Sequence, residues 1–464
     1  MKSRRIDPNR TSETVFRQQA RDNLVPPAKM FPNMMTPRDS QIQSMQDLVP
    51  VLSRSDGFAA VTAALRSGQS GTIDGAWGGS CALAAASIAT ALDSVLLIVL
   101  PRLSEIDEFT GDLASFLGTI PEIFPAWETL PDEHDVADTV FGGRLRVLSQ
   151  LQHSGGNEST PQVIVTSFPA LLQPVPSRKQ REAATRRIQV GDEIDTDAFM
   201  KWLLERGFER TTAIQLPGEF SMHGGILDLY SPDSALPIRI EFFGDEVESI
   251  RQFDVETQRT LETCQQVDLT LISPVPASVS GRQLQTPNRD EDGTTSESLL
   301  DNLPPEACIA LIELPELIDE GKRYLDRLEN PRGLFSVPAT MARCTDFPSV
   351  TIAPISAEST EISCHLQIES VERFTRSKSE MLEELASIIG PQDTVLICCH
   401  NQGEQDRLQE LLDESELDLS QRVKTCIGNL ALGFRIVPEH LVVLSDHELF
   451  GRADIRHKPR KQKA

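Results

Sequence analysis

The chain has 464 residues, with 69 acidic against 44 basic side chains and a formal net charge of −25. Proteins gain affinity for duplex DNA when Lys and Arg displace its counterions, so this acidic balance argues against direct DNA binding. Hydrophobic residues make up 39% of the chain. The length fits about three or four domains. No run of about 18 apolar residues occurs, so we expect a soluble cytoplasmic protein that does not enter a membrane.

The first 47 residues carry scattered charges and prolines and no apolar stretch of the signal-peptide kind. We expect residues 1–47 to be a disordered leader. The eight cysteines of the chain form no C-x-x-C pair and have no His at zinc-ligand spacing. The sequence therefore predicts no metal site and a reducing compartment.

Residues 48–173 alternate helices with apolar strands, which is typical of a parallel α/β layer. Strands are predicted at Val95–Val99 and Val163–Thr166, and helices near 80–92, 103–117 and 138–152.

A glycine-rich stretch at positions 75–82 stands where such a fold carries a nucleotide-binding loop, ahead of an Ala-rich helix. A working loop ends in a Lys, for the β- and γ-phosphates, and a Ser or Thr, for Mg²⁺. Here Cys81 and Ala82 occupy those two places. Gly75, Gly78 and Gly79 are explained by a tight strand-to-helix turn. The sequence thus predicts a degenerate nucleotide loop, no catalytic residues, no cofactor and no ATP hydrolysis by this chain.

In residues 174–262 the sequence pattern differs from the alternating helices and apolar strands before it. A helix is predicted at Asp197–Gly207, and Pro237–Phe243 and Glu246–Phe253 then alternate apolar and polar residues on either side of the turn Gly244-Asp245. Period-two patterning around such a turn is a hairpin signal, so we expect an antiparallel sheet inserted between α/β pieces.

Residues 263–372 contain two buried-strand candidates, Ile309–Ile312 and Val350–Ala353, which are expected to complete the first sheet after the insertion. A polar loop from 278 to 298 precedes them. Residues 373–452 predict a small α/β domain, and residues 453–464 a flexible basic tail. That small domain has an amphipathic helix near 381–389 and strands at Thr394–Cys399 and Leu441–Ser445.

Several stretches resemble the N-terminal region of the bacterial transcription-repair coupling factors, the Mfd family, and more distantly UvrB. They are Phe124–Pro131 with Arg144-Leu145, Gln189–Asp195, Gly218–Ser221 with Gly224–Leu229, Arg239–Arg251 closing with Thr257–Arg259, and Glu448–Arg452. The block Arg239–Arg251 is the most specific. The resemblance implies a split UvrB-like, RecA-like parallel-sheet domain formed by residues 48–173 and 263–372. It also implies an inserted antiparallel α+β UvrA-binding domain at 174–262 and a small C-terminal α/β domain at 373–452.

The same resemblance implies the function of a module that recruits UvrA to stalled transcription complexes in transcription-coupled nucleotide excision repair. Family members continue with an RNA-polymerase-interacting module, a translocase motor and a regulatory domain. No intact motor motif lies within these 464 residues, so contacts with RNA polymerase and DNA are expected only through other domains or partners.

Four positions match the UvrA-facing surface of the family. Arg239 and Phe243 lie four apart on one predicted strand and therefore on one face, where an Arg fork suits a partner carboxylate and an exposed Phe adds apolar contact. His223 stands where the family usually has Arg, and Arg210 matches a further position used in UvrB. The purely structural alternatives are a solvated ion pair for Arg239 and a core position for Phe243.

Two other readings of the whole chain remain. It is a fragment of an ATP-dependent DNA translocase or helicase whose motor is missing, or a split or decayed reading frame. Asp132–Asp135 suggests a metal site only weakly, because a solvated acidic loop explains it, as it does for Asp290–Asp292.

Overall fold

The computed structural model describes residues 42–128, 138–152, 162–270, 272, 297–329, 331, 333–355, 362–371, 381–415 and 422–450. Residues 1–41, the acidic motifs at 132–135 and 290–292, most of the polar loop at 278–298 and the basic tail at 453–464 lie outside these ranges. No helix within them combines the length and hydropathy that a membrane span requires.

The strands, in chain order, are β1 (Gly71–Asp74), β2 (Leu96–Leu100), β3 (Glu122–Phe124), β4 (Val163–Ser167), β5 (Thr185–Gln189), β6 (Glu209–Arg210), β7 (Glu219–His223), β8 (Ile226–Leu229), β9 (Ile238–Phe243), β10 (Glu246–Phe253), β11 (Thr260–Cys264), β12 (Gln266–Thr270), β13 (Cys308–Ile312), β14 (Ser349–Ala353), β15 (Ile362–His365), β16 (Ile368–Ser370), β17 (Thr394–Cys399), β18 (Val423–Ile427), β19 (Phe434–Ile436) and β20 (Leu441–Ser445).

The α-helices are α1 (Leu48–Leu52), α2 (Phe58–Arg66), α3 (Gly79–Ala91), α4 (Ile106–Leu117), α5 (Thr139–Gln152), α6 (Phe168–Leu172), α7 (Arg178–Ala184), α8 (Thr196–Glu205), α9 (Leu314–Arg327), α10 (Val337–Cys344), α11 (Met381–Ile388), α12 (Gln402–Glu414) and α13 (Asp446–Phe450). Short 3₁₀ turns occupy Met45–Asp47, Leu103–Glu105, Leu299–Asn302 and Val437–Glu439.

The main sheet is parallel throughout, with strand order β15-β1-β14-β13-β2-β4-β3. The two strands that follow the insertion, β13 and β14, lie in its middle, so the prediction that they complete the first sheet is confirmed. Every residue of β2 is buried, because helices cover both faces of a parallel sheet. Leu96 and Ile98 belong to one hydrophobic cluster and Leu97 and Val99 to the other, as the alternation of a strand requires.

The Ala-rich helix α3 is buried along most of its length. Its alanines share one hydrophobic cluster with β2 and with Leu396, Phe434 and Val443 of the C-terminal sheet. The main and C-terminal sheets therefore pack around a common core. The C-terminal sheet has the order β16-β19-β20-β17-β18, in which β17 runs parallel to β18 and β20.

Residues 42–47 correct the predicted disordered leader. Met45 is only 1% exposed and packs in the main core with Leu48. Asp47 accepts a hydrogen bond from the Ser44 hydroxyl at 2.8 Å, and the Lys424 ammonium donates to the Ile42 carbonyl at 3.0 Å. Sequence composition misses this ordered segment because one buried Met and a few hydrogen bonds, one of them to the distant Lys424, hold it in place.

The inserted segment forms a six-stranded sheet, β11-β10-β9-β8-β7-β6, in which only the short β6 is parallel to its neighbour. Helix α8 covers one face, through Phe199 and Leu203. The expected hairpin is formed by β9 and β10. Strands β5 and β12 pair with each other where the chain enters and leaves this region, so its paired structure extends past the expected end at 262.

Candidate protein-interaction surface

The inserted sheet has two unlike faces. Along β9, Ile238 and Ile240 are at most 2% exposed and pack against the α8 side. Arg239, Glu241 and Phe243 alternate to the opposite side, because successive side chains of a strand point to opposite faces. We call that side the outer face.

Phe243 is the most exposed aromatic side chain of the outer face, with 79% of its surface accessible. It ends β9 just before the Gly244-Asp245 turn and lies beside a second turn, where the Phe242 amide donates to the Gly225 carbonyl at 2.8 Å. Ile226, opposite Glu241 on β8, is 38% exposed. An exposed large apolar side chain is the informative deviation on a protein surface, so Phe243 is not a core residue and needs another explanation.

Arg239 is held by a carboxylate of its own chain. Its Nε and Nη2 donate to the two Asp228 oxygens at 2.7 and 2.8 Å, across the register that places the two residues opposite each other. Nη2 also donates to Gln258 Oε1 at 3.1 Å, and the guanidinium lies 4.5 Å from the centre of the Phe253 ring. The hydrogen bond to Asp228 raises the pKa of Arg239 above its usual value. The fork expected to meet a partner carboxylate is therefore already occupied.

Arg251 lies directly opposite Arg239 on the next strand. Two like charges in that arrangement destabilise a sheet unless each is neutralised. Arg251 donates to Glu241 Oε2 at 2.7 Å, and that same oxygen accepts from the Ser249 hydroxyl at 2.7 Å. The outer face thus carries two paired arginines. Sequence reasoning missed the acidic partners Asp228 and Glu241, although the two-residue spacing of Arg239 and Glu241 places an arginine and an acid on one face of the strand.

His223 lies on the same face and Arg210 does not. His223 is exposed at the end of β7, opposite Ile226, and its Nε2 lies 2.8 Å from the Thr212 carbonyl, to which it donates. Arg210 is exposed on the edge strand β6, but its register partner is Phe220, a core residue. The structure therefore brings His223, Arg239 and Phe243 to one face and leaves Arg210 at the edge, in register with the core-facing side.

The glycine-rich loop is a strand-to-helix turn between β1 and α3. Gly75 and Gly78 have φ of +79° and +51°, values that favour glycine. A Cβ on Gly75 would lie 2.1 Å from the Leu366 carbonyl oxygen, so the backbone has no room for a side chain there. The Ser80 hydroxyl accepts from the Trp77 amide and donates to its carbonyl, both at 2.7 Å, which closes the loop on itself.

The C-terminal part of the chain covers this loop. The Gly79 amide, which begins α3, donates to the Leu432 carbonyl at 3.1 Å. A Cβ on Gly79 would lie 2.4 Å from Leu430 Cδ1. The Asp112 carboxyl accepts from the Ala431 amide at 2.9 Å, and burial raises its pKa to about 8. In a working loop, the amide at the start of the helix and the space near it receive phosphate. Here Leu432 and Leu430 occupy that amide and that space.

The stretch at Phe124–Pro131 and Arg144, which both resemble the family, contact each other in the structure. Arg144 is buried between the rings of Phe124 and Trp127, at 4.3 and 4.9 Å from their centres. It donates to the carbonyls of Pro125, Gln173 and Pro174 at 2.9 to 3.2 Å, and burial lowers its pKa to about 9. These contacts join three stretches of the first α/β layer.

Comparisons with known proteins agree with this architecture. Residues 187–273, a range that includes all four predicted surface positions, match the family model of the UvrB interaction domain. The chain is 37% identical over 178 residues to the transcription-repair-coupling factor of Mycobacterium bovis, an alignment that covers 37% of this chain and 14% of that relative. The factor of Myxococcus xanthus is 32% identical over 271 residues, covering 57% and 22%, and that of Bacillus subtilis 23% over 494 positions, covering 90% and 41%.

The resemblance to transcription-repair coupling factors is thereby confirmed, as is a mixed α/β fold with a large parallel sheet and separate antiparallel sheets. The chain spans less than half the length of the curated relatives that it matches.

Proposed function

We propose that this chain recruits UvrA to stalled transcription complexes in transcription-coupled nucleotide excision repair, through the outer face of the inserted sheet. The observation that carries the proposal is Phe243, an aromatic side chain 79% exposed inside the segment that matches the UvrB interaction domain. A large exposed aromatic is the kind of residue that dominates protein interfaces.

The chemistry of this face suits a protein partner. Phe243 and Ile226 offer apolar area, and the paired arginines beside them cancel their own charge within the chain. With a net charge of −25, the chain lacks the electrostatic attraction that nucleic-acid binding uses. Contacts with RNA polymerase and DNA belong, in this proposal, to other domains or partners.

The proposed role does not include ATP hydrolysis by this chain. The loop offers no Lys for the phosphate charge and no Ser or Thr in the position that would hold Mg²⁺. Its first helical amide is already bonded to Leu432, and Asp112 brings an acidic group to the same place. Purified chain with ATP and Mg²⁺ is expected to release phosphate at the background rate. Steady release that a Gly79→Ala variant abolishes would mean that the loop hydrolyses ATP, and it would overturn this part of the proposal.

The test of recruitment is calorimetric titration of the full chain with UvrA. We expect wild type to bind UvrA and Phe243→Ala to bind it about tenfold more weakly, since removing an interface aromatic costs about 1–3 kcal/mol of binding free energy. Ile120→Ala is the matched control, because Ile120 is 86% exposed but lies outside the inserted sheet. Equal affinities for wild type and Phe243→Ala would remove this face from the proposal.

A further inference from the structure

Asp228 and Arg239 form a fixed pair on the outer face. They lie opposite each other on β8 and β9, with both fork contacts within 2.8 Å. The side chains keep only 17% and 23% of their surface exposed, so the pair is well shielded from solvent. Shielding strengthens such a bidentate contact relative to an ordinary surface ion pair.

A third residue completes the arrangement. Gln258 has a left-handed backbone, with φ of +55°, in the turn that follows β10. Its side-chain nitrogen Nε2 donates to the Val255 carbonyl at 2.8 Å, and this contact directs the side-chain oxygen Oε1 to Arg239 Nη2. A left-handed residue other than glycine costs free energy, and such positions cluster at functional sites.

These contacts leave Arg239 with one set of donors to offer. Nε and Nη2 are engaged by Asp228 and Gln258, while Nη1 has no acceptor within the part of the chain that the structure describes. A solvated Arg side chain loses rotamer entropy when it binds. Here that entropy has been lost on folding, which lowers the cost of association.

We propose that Asp228 is a positioning residue for the contact with UvrA, an inference that rests on the proposed function. Asp228 holds the guanidinium so that its Nη1 donors face a hydrogen-bond acceptor of the partner, a carbonyl or a single carboxylate. It also cancels the charge of Arg239, so the contact acts at short range. Phe243 then supplies the apolar part of the same contact.

A double-mutant cycle tests this role. The full chain is titrated with UvrA as wild type, Asp228→Asn, Arg239→Ala and the double variant. We expect about tenfold weaker binding for each single variant, and no further loss when Asp228→Asn is added to Arg239→Ala, because residues that act through one contact are not additive. Gln258→Ala, which removes one contact to the same Nη2, is expected to weaken binding by about threefold.

Asp268→Asn is the matched control. Asp268 holds Arg187 with the same two distances, 2.7 and 2.8 Å, but on the β5–β12 pair rather than on the outer face. It should lower binding little, and melting curves of all variants show whether each is folded. If Asp228→Asn does not fold, Gln258→Ala in the same cycle decides the matter.

The outcomes separate the two proposals. Wild-type affinity for Asp228→Asn, or fully additive losses in the double variant, would overturn the positioning role and leave recruitment through Phe243 intact. A wild-type chain that does not bind UvrA at all would overturn both.

Discussion

The buried carboxyl of Asp112, beside the covered loop, leads to a quantitative prediction of how stability depends on pH. Its side chain is 4% exposed and its pKa is raised from 3.8 to about 8, chiefly by burial, with smaller contributions from Glu108 and Glu448. Between those two pH values the folded chain keeps a proton that the unfolded chain has released. Stability at this site is therefore present at low pH and lost as the pH rises from about 4 to about 8.

The size of the effect follows from the shift. One pKa unit corresponds to about 1.4 kcal/mol, so a rise from 3.8 to about 8 costs at most about 6 kcal/mol of stability above pH 8. Asp112→Asn removes the titration and keeps an oxygen for the Ala431 amide. We expect the variant to be more stable than wild type at pH 8 and close to wild type near pH 4.

Urea unfolding at pH 5, 6, 7 and 8 measures this difference. The wild-type free energy of unfolding should fall across the series, and the Asp112→Asn slope should be flatter. Some slope should remain, because burial also raises the pKa of Asp446, to about 6. Asp107→Asn, an exposed acid on the same helix, should follow wild type. Equal slopes for wild type and Asp112→Asn would refute the reasoning.

Three further predictions concern packing and the outer face. Arg144→Met should lower the free energy of unfolding by about 2–5 kcal/mol in urea melts, because it leaves one buried and two half-buried carbonyls without the guanidinium that donates to them. A loss below about 1 kcal/mol would contradict a stabilising role of these contacts. Met45→Ala should cost about 2–4 kcal/mol in the same assay, since Met45 is 1% exposed; a neutral effect would return residues 42–47 to the leader. His223→Arg should tighten UvrA binding in calorimetry by about two- to tenfold, since it restores the family's usual residue beside Ile226. Unchanged or weaker binding would exclude that position from the contact.

Much of the architecture follows from local patterns. By composition and period alone, the apolar run at 95–99 indicates one strand and the alternation on either side of Gly244-Asp245 indicates two, and all three are present. The absence of Lys and Thr at positions 81 and 82 likewise needs no coordinates. β15 escaped prediction, because it has four residues and is a strand only through its parallel pairing with β1.

The contacts of the two candidate sites depend on register and long-range packing. Arg239 and Phe243 were predicted to share a face, which period two determines, but the partner of Arg239 was not predictable, since Asp228 meets it only through the pairing of β8 with β9. The loop at 75–79 is covered by Leu430 and Leu432, some 350 positions later in the chain. The sequence by itself determined which chemical groups the loop and the outer face possess. Tertiary structure alone decided which of those groups are already occupied, because hydrogen bonds and close contacts between distant segments exist only after the sheets have assembled.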